Sequence, residues 1–134
     1  MRTFKEDYQF GKSEEEEILP LLNQHFKDDI KLVKNKFSKF DYVGGSYIYE
    51  VKSRTNKLKA FPDTLMPVSK VIPHKKQIFI FNFTDKIGYI EYSEENFKNI
   101  KKAPFKRNKR EDFLDKVQEY FFIPISALTI IEKI

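Results

Sequence analysis

The stretch FDYVGGSYIYEVKSR, residues 40–54, joins two apolar runs through Gly44-Gly45. A glycine pair between such runs predicts a β-hairpin. Side chains alternate along a strand, so Ile48, Glu50 and Lys52 share one face while Tyr49 and Val51 share the other. Val51 can then anchor the strand in a core while Glu50 and Lys52 project together. Asp41, on the partner strand, falls across from them near the same end. Two carboxylates held that close repel unless a cation lies between them. A hard divalent ion with oxygen ligands, Mg²⁺ above all, suits that pair in a chain with no cysteine. An ammonium group beside such an ion can hold and polarise an attacking water. This is the constellation required for metal-assisted hydrolysis of a phosphodiester.

Outward from the hairpin, KLVKNKFSKFDYV (31–43) predicts its first strand. Upstream, SEEEEILPLLNQHF (13–26) predicts a helix with Ser13 as N-cap and Glu14 to Glu17 in its first turn, where the helix dipole favours acids. Ile18, Leu19, Leu22 and Phe26 form its apolar stripe, and Pro20 should kink or shorten it. Residues 55–76 contain Pro62, Pro67 and Pro73 and leave room only for a short helix. QIFIFNFTDKIGYIEY (77–92) predicts a second hairpin turning near Thr84-Asp85-Lys86. SEENFKNI (93–100) predicts a short helix capped by Ser93, REDFLDKVQEYFF (110–122) a final helix, and IPISALTIIEKI (123–134) an apolar tail. The order predicts one α/β domain over residues 1–134 with a mostly antiparallel or mixed sheet.

An acid on one strand, a turn, and then Asp or Glu, any residue and Lys on the next strand resembles the PD-(D/E)XK nuclease superfamily. That family has the restriction-endonuclease-like fold and includes restriction enzymes, Holliday-junction resolvases and phage exonucleases. Asp41 and Glu50-Val51-Lys52 carry the resemblance, with Phe40 where many members have Pro. The resemblance implies a central mixed sheet flanked by helices and a further Glu on the first helix. Glu15 is the choice because Ile18 and Leu19 turn it toward the core, with Glu14 as runner-up. It implies that Asp41, Glu50, the Val51 carbonyl and Glu15 hold Mg²⁺, for which Mn²⁺ substitutes, and that Lys52 positions the water. The products would be a 5′-phosphate and a 3′-hydroxyl, and DNA is favoured over RNA because most relatives act on DNA. The Asp29-Ile30-Lys31 triplet, without an upstream acid, turn or buried strand, is read as a chance match.

Composition bounds the alternatives. The 134 residues are 40 % hydrophobic and 16 % aromatic, enough for a folded core. Without cysteine there are no disulfides and no thiolate metal sites, and no apolar run is long enough to span a bilayer. The first residues lack the apolar core of a signal peptide, so an intracellular protein without membrane association is expected. The net charge of +5 favours a polyanionic partner. KNIKKAPFKRNKR (98–110) has seven basic side chains and no acid. Its Lys101, Lys102, Lys106, Arg107, Lys109 and Arg110, together with Arg54, Lys57 and Lys59, are the candidate phosphate contacts. Tyr47, Tyr49 and Phe61 can stack on unpaired bases or serve the core. His25 and His74 show no metal spacing. One site per chain makes a homodimer the natural way to cut both strands. Two rivals remain: a catalytically inactive nucleic-acid-binding module of the same fold, and an interaction domain whose basic arm meets an acidic protein.

Overall fold

The Gly44-Gly45 turn forms, but for a different reason from the usual hairpin glycine. The computed structural model describes residues 4–33, 41–105 and 118–133. Neither glycine has a positive φ. Val43 faces Ile48 and the Gly44 amide donates to the Tyr47 carbonyl at 2.9 Å, so residues 44–47 make a four-residue loop. What the loop requires is room for Asp28. A Cβ on Gly44 would lie 2.1 Å from Asp28 Oδ2. Asp28 accepts from the Gly45 amide at 2.7 Å and from the Tyr49 hydroxyl at 2.7 Å. These donors, Tyr49 first, hold its carboxyl below the usual range. One acid at the end of the first helix thus fastens that helix to the hairpin.

That helix, α1 (Phe4–Phe26), starts well before Ser13. Ser13 is therefore not its cap, and Glu14 to Glu17 lie mid-helix, away from the positive end of the dipole. The preceding residues are mostly good helix formers with no proline, and Gly11 costs only about 1 kcal/mol, so nothing stops the helix at Ser13. It also continues through Pro20. Glu16 and Pro20 are both exposed, so water can solvate the carbonyl that loses its partner. Lys27, at φ 50°, ends the helix in the left-handed region.

Among the described residues nine strands form two sheets. The larger runs in the order β1 (Lys31–Leu32), β2 (Tyr42–Val43), β3 (Ile48–Ser53), β5 (Gln77–Asn82), β6 (Lys86–Tyr92), β9 (Thr129–Glu132). The expected single strand over 31–43 is thus two short ones, with residues 34–40 outside the described set. β3 and β5 are parallel and the other neighbours antiparallel, which makes the sheet mixed. The smaller sheet runs β4 (Asp63–Pro67), β8 (Gln118–Pro124), β7 (Lys101–Phe105). Residues 118–122, expected to be helical, belong to β8, because their aromatic run is paired on both sides. The rest of that expected helix, residues 110–117, lies outside the described residues. The C-terminal apolar tail supplies the end of β8 and the edge strand β9. The second hairpin and the short helix α2 (Glu94–Phe97) form as expected, with the Ser93 hydroxyl accepting from the Asn96 amide at 3.0 Å.

The layers follow from alternation. On one face of the large sheet, Tyr49, Val51, Ile78 and Ile80 pack against Ile18 and Leu22 of α1. On the other, Phe79 and Phe81 pack against Met66, Phe97, Phe121 and Ile123. β5 is buried at every position, and its centre, Ile78 to Phe81, reads as an unbroken apolar run between Gln77 and Asn82. The protein is mixed α/β with more sheet than helix. Of the expected mixed sheet flanked by helices, the mixed sheet is present and α1 covers one face, while the other face is covered mainly by the small sheet.

Candidate functional site

β3 carries Glu50 and Lys52 on the face opposite its α1 contacts. The Glu50 side chain is 1 % exposed, and its Oε1 lies 3.4 Å from Lys52 Nζ and 3.4 Å from Lys70 Nζ. No hydrogen bond of good geometry reaches that buried oxygen. Burial pushes the Glu50 carboxyl up, and the neighbouring Asp41 adds to this, while Lys52 and Lys70 oppose it. Asp41 is placed by register: Tyr42 pairs with Tyr49, so the next position faces Glu50. The third acid comes from the helix. Glu15 Oε2 accepts from the Tyr42 hydroxyl at 3.1 Å. Its carboxyl is pushed up to about 7, first by burial, then by the Asp41 charge, with Lys52 opposing and Glu50 adding. The four expected groups therefore share one electrostatic neighbourhood, drawn from α1, the entry to β2, and β3. The spacing is open: among the described residues no three acids or histidines gather closely enough to hold a metal ion.

The Val51 side chain is buried against α1, as expected of an anchor. Its backbone faces usefully. Ile48 and Arg54 donate to carbonyls on the β5 side, so even-numbered residues of β3 turn toward β5 and Val51 turns toward β2. The β2 ladder ends at the Tyr42–Tyr49 pair, leaving the Val51 carbonyl on the side that Asp41 occupies.

Lys70 was not visible as a site residue in the sequence. It ends a 3-10 turn (Val68–Lys70) in the crossover between the two parallel strands. The buried side chain of Gln77 fixes it there, donating to the Lys70 carbonyl at 2.8 Å while accepting from the Ile72 amide at 2.8 Å. Asn82 performs a weaker version of this service for α1, reaching the Glu14 carbonyl at 3.3 Å and Ser53 Oγ at 3.4 Å. Asn82 carries no local signal because its partners are 68 and 29 residues away, and Gln77, whose partners lie five and seven residues before it, belongs to no turn or cap pattern.

Beside Lys52 and Lys70 opens a cleft of about 610 Å³ between β3 and the small sheet. Arg54 lines it, donating to the Leu65 carbonyl and lying 5.6 Å from the centre of the Phe81 ring. Arg54 therefore braces β3 against β4 as well as facing the cleft. Lys57 and Lys59 border an adjoining depression with Asp85 and Lys86, which shares Asn56 and Leu58 with the cleft. Lys101 and Lys102 are exposed on β7, Lys101 at 5.2 Å over the Phe122 ring. Lys106, Arg107, Lys109 and Arg110 lie outside the described residues. Of the aromatic candidates, Tyr49 is in the core with its hydroxyl on Asp28, which removes it as a stacking surface. Tyr47 donates to Glu91 at 2.8 Å, and Phe61 is exposed at the cleft. His25 meets the Tyr89 hydroxyl at 2.9 Å, a structural contact. Lys31 and Asp29 of the chance triplet form an exposed ion pair at 3.2 Å.

No helix among the described residues is long and apolar enough to cross a membrane. Compared with models of known families, with curated proteins and with solved structures, the chain finds a match in none of the three.

Proposed function

We propose that the protein is a metal-dependent nuclease with a restriction-endonuclease-like arrangement of its site, hydrolysing phosphodiester bonds in nucleic acid, DNA in preference to RNA. One observation carries this reading: Asp41 falls opposite Glu50 across the hairpin, and the buried Glu50 has Lys52 and Lys70 each at 3.4 Å, with Glu15 of α1 near enough to feel the charges of Asp41 and Lys52. The order α1, β1, β2, β3 and a β5 parallel to β3 supports the fold analogy.

Carboxylates and a carbonyl are the donors that a hard divalent ion takes. Asp41, Glu50 and the Val51 carbonyl would hold Mg²⁺, with Glu15 completing the set. The buried Glu50 oxygen, which has only ammonium groups near it, fits that role, although among the described residues the acids are not gathered into a cluster that holds an ion as they stand. When bound, the ion supplies Lewis acidity and a more acidic water. The rest belongs to the chain. Lys52 donates to the attacking water and orients it toward phosphorus, in line with the departing 3′-oxygen. Lys70 and Arg54 offset charge on the phosphate oxygens. Each chain supplies one such site, so cutting both strands calls for a homodimer.

Supercoiled plasmid tests this. Nicking should require Mg²⁺ or Mn²⁺, stop with chelator, and fall at least about a hundredfold in Lys52→Ala. No metal-dependent nicking by the wild type, or undiminished nicking by Lys52→Ala, overturns the assignment. A second reading rests on the Lys70–Glu50 ion pair, which supplies Glu50 with a counter-charge from within the chain. In that case the protein binds nucleic acid without cutting it. Calorimetric titration with Mg²⁺ separates the two: saturable binding lost in Glu50→Gln supports the nuclease, and its absence supports the binding module.

A further inference from the structure

We infer that the cleft beside Lys52 receives a base from an unpaired segment, so that the substrate is single-stranded or locally splayed nucleic acid rather than intact duplex. This deepens the nuclease reading and rests on it only for the word substrate; the binding itself is independent of cleavage.

Three features of the cleft point to an unstacked base. Its two ends carry exposed rings: Phe61, just before β4, is 60 % exposed and Phe105, at the end of β7, 42 %, two of the three large apolar side chains left exposed among the described residues. Both line this one cleft. Leaving rings in water costs free energy, and concentrating them in a concavity makes sense when a flat apolar guest covers them. The wall is also held firm. Phe105 sits edge-on to Tyr120 and Phe122, with centroids 6.0 and 6.4 Å apart, so little ordering is needed when a guest stacks.

The lining is also cationic. Lys52, Lys70 and Arg54 belong to it, against Asp63 as its one acid. A guest with aromatic parts and anionic groups matches this lining, and a nucleic-acid strand is such a guest. A strand with a base on either ring would run its backbone along the lining that Lys52 shares, and Lys52 lies 3.4 Å from Glu50. Bases stacked inside a duplex present only their edges, so the cleft favours a strand whose bases are free to turn outward.

The test measures binding in chelator, where no cutting occurs. Wild-type protein is titrated by fluorescence anisotropy against a labelled single-stranded DNA, an RNA of the same sequence and a blunt DNA duplex. The single strands should bind at least about tenfold more tightly than the duplex. Phe61→Ala and Phe105→Ala should each weaken single-strand binding about fivefold to a hundredfold, the range for loss of one stacked base, and leave duplex binding unchanged. Phe61→Tyr should restore most of the affinity, and unchanged thermal melting should exclude unfolding. Preference between the DNA and RNA strands identifies the sugar that the cleft accepts. Equal or tighter binding of duplex, or single-strand affinity within twofold of wild type in both alanine variants, overturns the inference. If the alanine effects appear but no nicking is found, the nuclease reading fails and the cleft stands; nicking without alanine effects is the reverse.

Discussion

Glu15 shows how one side chain can hold opposing demands. Its carboxyl is pushed from 4.5 to about 7 by burial and by Asp41, so folding favours its protonated form. That contribution is fully present below about pH 4.5 and is lost as pH rises through 7. Glu50 is displaced in the same direction and adds to the decline. Glu15→Gln should therefore melt like wild type near pH 4 and at a higher temperature by about pH 8, which thermal melts across that range would check. A wild type that melts as high as the variant at the upper end would contradict the burial argument. Gly44→Ala should cost about 1–3 kcal/mol by chemical denaturation, since the new Cβ evicts Asp28 from the donors Gly45 and Tyr49. The need for glycine at 44 was legible in the sequence; its reason was not, because Asp28 is sixteen residues upstream.

At the scale of elements, the left-handed end of α1 offers a direct test. Lys27→Gly removes the penalty of a side chain at φ 50° and should stabilise the protein by about 0.5–1 kcal/mol, read as a melting point a few degrees higher. β7 gives a second view of the basic run. It lies at the edge of the small sheet among the described strands, and Lys101, Lys102 and Pro104 are what blunts such an edge. Replacing all three with valine should increase light scattering on concentration, whatever the effect on nucleic-acid binding. Elements with local causes were legible: the two hairpins, with their turn residues, and α2, with its Ser93 cap. β8 was not, because its strand state comes from pairing with β4 and β7, whose sequence partners are far away. The same aromatic run in isolation fits a helix equally well.

For the whole molecule, the mixed sheet and the α/β class followed from the order of elements, and the acid–base cluster followed from alternation on β3. The second sheet did not, since proline-rich crossovers announce only what they break. Its consequence is that the layer covering Phe79 and Phe81 is built from non-local strands, which slows assembly of the fold relative to a helical cover. Gln77 binds this architecture together, and Gln77→Leu should cost about 2–3 kcal/mol by leaving the Lys70 carbonyl and the Ile72 amide without their partner. The same variant should free Lys70 from its place beside Glu50.

A single stretch of chain, residues 54–76, supplies both the Lys70 that leans on Glu50 and the β4 flank of the aromatic recess. Thermodynamic reciprocity then applies to the two ends of that stretch. By whatever factor an occupant of the recess alters the hold of Glu50 on a cation, the cation must alter the hold on the occupant by the same factor.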